Sequence, residues 1–182
     1  MIGRERVLTL DSTPLIPSKI ETLALGLSRE WYHDHQVVLY KLSAASHASI
    51  ETWMACVKAS LTDWDKQLPY RVVHDLSQPG VSLQYAALVN FDMMNIGVTL
   101  EGRLWAEQLF DAHPQWSARV AVNFNLSLSG QTNRTLMNYL NREHPAIRYK
   151  SFYNRSKCIK WVMGELGDTS EVPSVSPRAD LS

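Results

Sequence analysis

Residues 37–76 decide the fold, and they read VVLYKLSAASHASIETWMACVKASLTDWDKQLPYRVVHDL. The stretch begins and ends with short apolar runs, Val37–Leu42 and Tyr70–Leu76, which are typical of buried strands. Between these runs, large apolar side chains recur at intervals of three and four residues, which predicts one apolar face of a helix. These side chains are Ile50, Trp53, Met54, Val57, Leu61 and Trp64. A helical connection between two strands predicts that the strands are parallel neighbours in one sheet.

The residues around this unit extend the same pattern. Ser46 or Ser49 can cap the helix, and Pro69 lies beyond its end. On the amino-terminal side, Thr22–Trp31 is predicted to be one strand, joined to the strand at Val37 by a turn around His33–Asp34–His35. The sequence therefore predicts an opening β-hairpin before the first helix.

On the carboxyl-terminal side, helical and strand patterns alternate. An apolar helix is predicted from about Val81 to Met94 and a second from Thr99 to Ala112, with Gly97 as the break between them. Residues 120–126 alternate between apolar and small or polar side chains, which predicts a third parallel strand with one better-buried face.

The last part of the chain repeats the alternation once more. A polar loop over Ser127–Thr132 and a short helix over Asn133–Arg142 precede the last strand, Arg148–Tyr153, and a closing helix, Ser156–Leu166. The predicted fold class is α/β: an opening β-hairpin followed by βαβαβα units, with helices packed on a mostly parallel sheet.

The chain length and composition predict one folded domain. Its 182 residues suffice for one core. We assign residues 1–20 to an amino-terminal arm of uncertain structure, residues 21–166 to a single α/β domain, and residues 167–182 to a disordered tail. That tail contains Pro173 and Pro177 and has no aromatic residue.

The charge balance argues against nucleic acid as the main partner. Eighteen basic and eighteen acidic residues cancel, so no global field attracts a polyanion. Residues 142–160, however, contain six basic residues and one acidic residue, Glu143. This local excess of positive charge could bind an acidic partner. We favour a solvated basic surface over a nucleic-acid site. The six are Arg142, Arg148, Lys150, Arg155, Lys157 and Lys160.

The sequence favours a reduced, cytoplasmic protein without a membrane span. The first thirty residues lack the apolar core of a signal peptide. The longest uncharged stretch, Ser77–Phe91, is too short to cross a bilayer. Cys56 and Cys158 lack the paired spacing of zinc or redox sites.

No catalytic or metal-binding signature is present, so we expect a protein that is not an enzyme and has no cofactor. His33 and His35 could begin a metal site, but no supporting ligand motif accompanies them, and exposed turn residues are the preferred interpretation. His74 and Asp75 are adjacent on a strand and should face opposite ways, which argues against an oriented catalytic base.

The loop after the third parallel strand is a candidate anion or ligand site. Parallel α/β sheets expose backbone amides where a strand leads into a helix, and Arg134 could add a positive charge there. The loop lacks the Lys-Ser or Lys-Thr ending of a nucleotide-binding loop. An ordinary capped turn is the alternative. The candidate residues are Ser127, Ser129, Gly130 and Arg134.

Four segments carry a resemblance to a known family. They are Val37–Ser43, Ile50–Trp64, Val72–Ser77 with its Asp-Leu-Ser ending, and Lys150–Tyr153 leading into the closing helix. In order and spacing, over roughly residues 22–163, the chain resembles the STAS and sporulation anti-sigma-factor antagonist family, known from bacteria. This resemblance implies a regulatory module that binds a protein partner or a second copy of itself through its sheet edge or a helix face.

The resemblance also points to a regulatory serine. In switching members of that family, the loop after the central strand reads Asp-Ser-Ser or Asp-Ser-Thr followed by Gly, and a kinase phosphorylates the hydroxyl. Ser82 corresponds by spacing, although Val81 precedes it and Leu83 follows it. Taken alone, the residues favour a serine that caps a helix.

Two functions follow from different features. The first is a non-enzymatic protein-interaction module. The second is a domain that binds a small apolar or anionic ligand between the long helical crossover and the loop at residues 127–134. Trp31, Trp105 and Trp116 have no clear place in the predicted core, and they would form a contact patch if exposed.

Overall fold

A computed structural model describes residues 15–81, 93–127, 130–132, 134–135 and 144–167. Its strands are β1 (Lys19–Ala24), β2 (Leu27–Tyr32), β3 (Val37–Leu42), β4 (Tyr70–Asp75), β5 (Ala118–Asn123) and β6 (Ile147–Phe152). Its helices are α1 (His47–Asp63), α2 (Met93–Asp111) and α3 (Arg155–Met163).

The six strands form one mixed sheet in the order β1-β2-β3-β4-β5-β6. The first three strands are antiparallel neighbours, whereas β3, β4, β5 and β6 run parallel. Val72 lies between Val38 on one side and Val120 on the other. The α/β class and the parallel core around residues 37–76 are therefore confirmed.

The strand predicted at Thr22–Trp31 is wrong, because this segment contains two strands. The chain turns back at Gly26, which has a left-handed φ of 79°. A Cβ atom there would lie 2.8 Å from the Cβ of Ala44. Only glycine suits this backbone and this spacing, so the sheet opens with three antiparallel strands. The first of them begins at Lys19, inside the segment that we assigned to the arm.

The predicted turn between β2 and β3 is confirmed. His33, Asp34 and His35 all have left-handed backbone, with φ values of 50°, 52° and 68°. Histidine and aspartate tolerate this conformation better than bulky residues do, but three such residues in succession store strain.

Helix α1 begins at the first of the two serines proposed as its cap. The Ser46 hydroxyl accepts a hydrogen bond from the Ser49 backbone N–H, and the Ser46 N–H donates to the Ser49 hydroxyl. This reciprocal arrangement satisfies two groups at the helix terminus.

Helix α1 is tied to the sheet by a buried hydrogen-bond network. The Tyr40 hydroxyl on β3 donates to the Ser60 hydroxyl over 2.9 Å, and the Tyr70 hydroxyl on β4 lies 2.9 Å from the same oxygen. Buried polar groups need such partners, so the network fixes how α1 lies across both strands.

The predicted break at Gly97 is wrong, because α2 runs without interruption from Met93 to Asp111. A glycine inside a helix costs only about 1 kcal/mol relative to alanine, which the neighbouring helical residues can offset. A second glycine has a packing role in this helix. A Cβ atom at Gly102 would lie 3.4 Å from the Met54 sulfur on α1, so the two helices approach closely there.

Helices cover both faces of the sheet. Helices α1 and α2 pack on one face, against Val38, Tyr40 and Val122 among others. Helix α3 packs on the other face, against Leu39 and Ala121 among others. The expectation of one better-buried face for β5 is wrong, because both faces of the strand lie under helices.

Several element boundaries differ from the sequence predictions. Strand β5 ends at Asn123, and Leu126 beyond it is 70% exposed. Helix α3 ends before Leu166, because Gly164 adopts φ 86° and its N–H donates to the carbonyls of Lys160 and Trp161. This is a left-handed helix cap.

The tryptophans do not form an exposed patch. Trp116 is buried and stacks on Phe110, and its Nε1 donates to the Leu68 carbonyl over 2.7 Å. Trp31 and Trp105 are partly buried against the core under α1 and α2.

Several sequence predictions fall outside the described residues. These are residues 1–14 of the arm, residues 82–92 of the Val81–Met94 helix, most of the Asn133–Arg142 helix, and residues 168–182 of the tail. Within the described part of the chain, no helix has the length and apolar character needed to cross a bilayer.

Candidate functional site

Strand β1 forms one edge of the sheet. It pairs with β2 on one side, and no described strand pairs with its other side. Ile16, Ile20 and Leu25, in β1 and beside it, are 77%, 63% and 95% exposed. Ile20 lies in the strand, and Ile16 and Leu25 lie outside its two ends. Exposed apolar side chains at a sheet edge are typical of a contact surface. We call these three residues the β1 edge.

A cavity adjoins the β1 edge on the α3 face of the sheet. It is an open cleft of about 460 Å³ between β1, β2 and the beginning of α3, within the usual range for ligand pockets. Its walls combine apolar and polar side chains: Leu15, Pro17, Ile20, Glu30, Tyr32, Arg155, Ser156 and Ile159. We call it the β1 pocket, and Ile20 belongs to both the pocket and the β1 edge.

A buried polar network forms one wall of the β1 pocket. Glu30 is 6% exposed, and its Oε2 accepts a 2.7 Å hydrogen bond from the Tyr32 hydroxyl. Arg155 Nη2 contacts both the Glu30 carboxylate and the Tyr32 hydroxyl. The network joins β2 to the first residue of α3. Removing Arg155 would leave the Glu30 carboxylate buried without its cation, at a cost of several kcal/mol.

Burial shifts the titration of this network. It raises the pKa of Tyr32 to about 12, with a smaller effect from the negative charge of Asp75. Burial also lowers the pKa of Arg155 from its ordinary value. Tyr32 therefore stays protonated at neutral pH, and its hydroxyl remains a donor to Glu30.

Sequence reasoning missed this network, although one signal was present. Glu30 and Tyr32 are two residues apart on a strand, so they share a face, and a charge on a buried face calls for a partner. Arg155 is 125 positions away in the sequence, and it was assigned to the basic patch. No pattern in the sequence indicated that α3 begins beside β2.

The predicted basic patch is only partly assembled. Arg148 and Lys150 lie on the α3 face of β6, while Arg155 belongs to the β1 pocket. Lys157 and Lys160 lie on α3. Arg142 lies outside the described residues.

Strand register adds two arginines to the α3 face that the linear patch did not contain. Arg71 on β4 lies beside Arg119 on β5, and Arg119 lies beside Arg148 on β6. Because Val72 lies beside Val120 in this register, Arg71 lies next to Arg119.

The candidate anion loop does not gather its predicted residues. The Gly130 N–H donates to the Ser127 hydroxyl over 3.2 Å, so these two residues meet. Arg134 instead donates to the Ser151 hydroxyl and lies 4.7 Å from the centre of the Tyr153 ring, measured from its Cζ. Ser129 lies outside the described residues.

The loop after β4 has its own hydrogen-bond network. Asp75 Oδ1 accepts from the Ser77 hydroxyl over 2.6 Å and from Asn123 Nδ2 over 3.0 Å. The chain resumes helical geometry at residues 79–81. Ser82 lies outside the described residues, so its phosphorylation stays a prediction.

The histidines that the sequence suggested as candidates are separated. His33 and His35 lie in the β2–β3 turn, whereas His74 packs under α1, where Trp53 Nε1 donates to its Nδ1 over 3.2 Å. Burial lowers the pKa of His74 to about 4. In the described ranges, no group of three or more His, Cys, Asp or Glu side chains could hold a metal ion.

Comparison with known proteins finds no relative of this chain. No family model, curated protein or solved structure matches it. The family therefore stays a prediction from the residues, and functional argument depends on the geometry of the β1 edge and its pocket.

Proposed function

We propose that this chain is a non-catalytic regulatory module of the STAS-like kind, which binds an extended segment of a partner protein along β1. One observation carries the proposal: an edge strand that contains exposed Ile20, with exposed Ile16 and Leu25 outside its ends, lies directly beside a cavity of about 460 Å³. The resemblance of residues 22–163 to anti-sigma-factor antagonists supports a protein partner.

Strand addition suits this edge for a simple physical reason. An edge strand offers a row of backbone N–H and C=O groups, which an added strand can pair with. The six residues of β1 are enough for a short ladder. Alternate side chains of the added strand would then face the α3 side of the sheet, where the β1 pocket opens.

The β1 pocket would supply selectivity. Leu15, Pro17 and Ile159 offer apolar contact, while Glu30 and Arg155 present both an acceptor and a donor. A side chain with an apolar stem and a polar end fits this mixture, because a purely apolar side chain would leave the polar wall without water.

The alternative, a small-ligand domain built on the loop at residues 127–134, has less support. Ser127 and Gly130 bond to each other, and Arg134 contacts β6. A small ligand bound in the β1 pocket, in place of a peptide side chain, is a further possibility that the experiments below distinguish.

A random-peptide display selection tests the proposal. We expect selected peptides to alternate apolar residues and to slow amide hydrogen exchange in residues 19–24. Ile20→Lys should abolish their binding, because it places a charge on the contact surface. The matched control is Leu104→Lys on α2, where the leucine is 49% exposed and binding should persist.

The pocket is tested separately from the edge. Ser156→Trp should fill the pocket without touching the Glu30 network, and it should change the selected residue type while main-chain protection remains. The proposal would be contradicted if the selected peptides bound the Ile20→Lys variant as tightly as they bind the natural chain. It would also be contradicted if they slowed amide hydrogen exchange in another element and not in β1. A small molecule found in the pocket by native mass spectrometry, displaced by Ser156→Trp, would also contradict it.

A further inference from the structure

Three arginines lie side by side on the α3 face of the sheet, away from the β1 edge. Arg71, Arg119 and Arg148 are each the second residue of a parallel strand, and the register places them next to one another. Adjacent strands are about 4.8 Å apart, so the row extends roughly 10 Å across β4, β5 and β6. We call this set the arginine row.

Like charges directly opposite each other on neighbouring strands are destabilising. Neither Arg71 nor Arg119 forms an ion pair with a described carboxylate, and the contacts that each makes are neutral. Arg71 Nη1 donates to Gln36 Oε1 over 3.2 Å. Burial lowers the pKa of Arg71, and the neighbouring charge of Arg119 lowers it further.

Arg119 has an evident role in the fold. Arg119 Nη1 donates to the Trp161 carbonyl over 2.8 Å, and its guanidinium lies 5.6 Å from the centre of the Trp161 ring. A cation at the carboxyl terminus of a helix is favourable, so Arg119 stabilises the end of α3. The contact of Arg71 with Gln36 requires a donor but no charge.

We propose that the arginine row binds linked phosphates of a small polyanion. Guanidinium groups bind phosphate oxygens through paired N–H donors, and the register places three arginines on neighbouring strands of one sheet face. The row consists of three residues and spans two strand spacings, roughly 10 Å. A protein interface contains about 20–30 residues on each side. Its size therefore favours a compact, multiply charged ligand over an acidic protein surface.

Titration calorimetry with inorganic probes tests this site. We expect tripolyphosphate to bind the natural chain at least tenfold more tightly than orthophosphate, with affinity falling as salt rises. Arg71→Gln/Arg148→Gln should weaken tripolyphosphate binding by about tenfold or more, because charge-assisted hydrogen bonds are lost. Arg71→Lys/Arg148→Lys should give an intermediate loss, since lysine keeps the charge but lacks the fork.

Two controls separate binding from folding. Lys58→Gln on α1 removes a cation from the other side of the sheet and should leave tripolyphosphate binding unchanged. Ligand-free Arg71→Gln/Arg148→Gln should unfold in one cooperative transition, and its melting temperature is the reference for the effect of ligand on this variant. Tripolyphosphate should raise the melting temperature of the natural chain and not that of this variant.

Several results would overturn the assignment. One is absence of tripolyphosphate binding at millimolar concentration, and another is equal binding by the natural chain and Arg71→Gln/Arg148→Gln. Tighter binding of a glutamate-rich peptide or a short DNA duplex would point instead to a macromolecular partner. Because Ile20 lies three strands away from Arg71, Ile20→Lys should not affect tripolyphosphate binding.

Discussion

At the scale of single residues, His74 shows how burial changes the chemistry of a side chain. Its Nδ1 accepts a hydrogen bond from Trp53 Nε1, and its ring packs against the rings of Trp53 and Tyr40. A buried imidazole without an acidic partner favours the neutral form. The residue that sequence inspection pairs with Asp75 is therefore a neutral packing group under α1.

His74 should make the stability of the protein depend on pH. Its pKa is about 4 in the folded chain and about 6.5 in an unfolded chain. As pH falls from 6.5 to 4, the unfolded state takes up this proton first, so the free energy of unfolding should fall by up to about 3 kcal/mol. Urea titrations between pH 4 and 8 measure this decline.

His74→Gln is the matched control for that decline. Glutamine can still accept from Trp53 but does not titrate, so the variant should lose most of the pH dependence between 6.5 and 4. The Arg29 hydrogen bond, with smaller contributions from Lys19 and Trp31, lowers the pKa of Glu21 to about 2. The loss of Glu21's contribution to stability begins at about pH 5.5. It is the same in both proteins, so the difference between the natural chain and His74→Gln isolates the histidine. An unchanged decline in His74→Gln would contradict the assignment.

The β2–β3 turn offers a second prediction for a single residue. Asp34 has a left-handed φ of 52° between two histidines that are also left-handed. Glycine adopts this backbone without steric cost, although it loses more entropy on folding. Asp34→Gly should therefore raise the free energy of unfolding by about 0.5–1 kcal/mol, and Asp34→Ala should not. Chemical denaturation of the three proteins checks the order.

At the scale of elements, hydrophobic periodicity predicted helices whose pattern lies within one segment. It missed boundaries that depend on contacts between distant segments. The offsets of Ile50, Trp53 and Leu61 predicted α1, and all three are buried. The split at Gly26 was missed, because the residues around it have no distinctive pattern, and its reason is the contact with Ala44. The helix break predicted at Gly97 was wrong, because a helix interior tolerates one glycine.

The cap of α1 gives a prediction for an element. Ser46→Ala removes the oxygen that accepts from the Ser49 N–H over 3.1 Å, so the free energy of unfolding should fall by about 1 kcal/mol. Ser46→Asp keeps an acceptor and places a negative charge at the helix amino terminus, and it should retain most of the stability. Equal losses in the two variants, measured by urea denaturation, would show that the cap contributes little.

At the scale of the whole molecule, the candidate sites come from register and from the position of α3. Neither the arginine row nor the contact of Arg155 with Glu30 follows from the composition of any one segment. The row could have been predicted from the alignment of Val72 with Val120. The β1 pocket could not, because it depends on where α3 begins relative to β2.

The position of α3 also predicts how the molecule unfolds. Among the described helices, α3 alone covers the face formed by Leu39, Val73 and Ala121, and Trp161 on this helix is 1% exposed. Trp161→Ala should lower the free energy of unfolding by about 3–5 kcal/mol, since it leaves a large cavity. That loss is a large share of the roughly 5–15 kcal/mol that stabilises most domains.

The effect of Trp161→Ala should extend to the other face of the sheet, because both faces share β3, β4 and β5. Far-ultraviolet circular dichroism should follow the helices, and the fluorescence of the five remaining tryptophans should follow the opposite core. These five, Trp31, Trp53, Trp64, Trp105 and Trp116, all lie on the side of the sheet that α1 and α2 cover. We expect both signals to shift to the same lower urea midpoint, with Trp161→Phe as the milder control. If the fluorescence midpoint stayed at its natural value while the circular dichroism changed, the two faces would be independent, and α3 could be released without disturbing the rest of the fold.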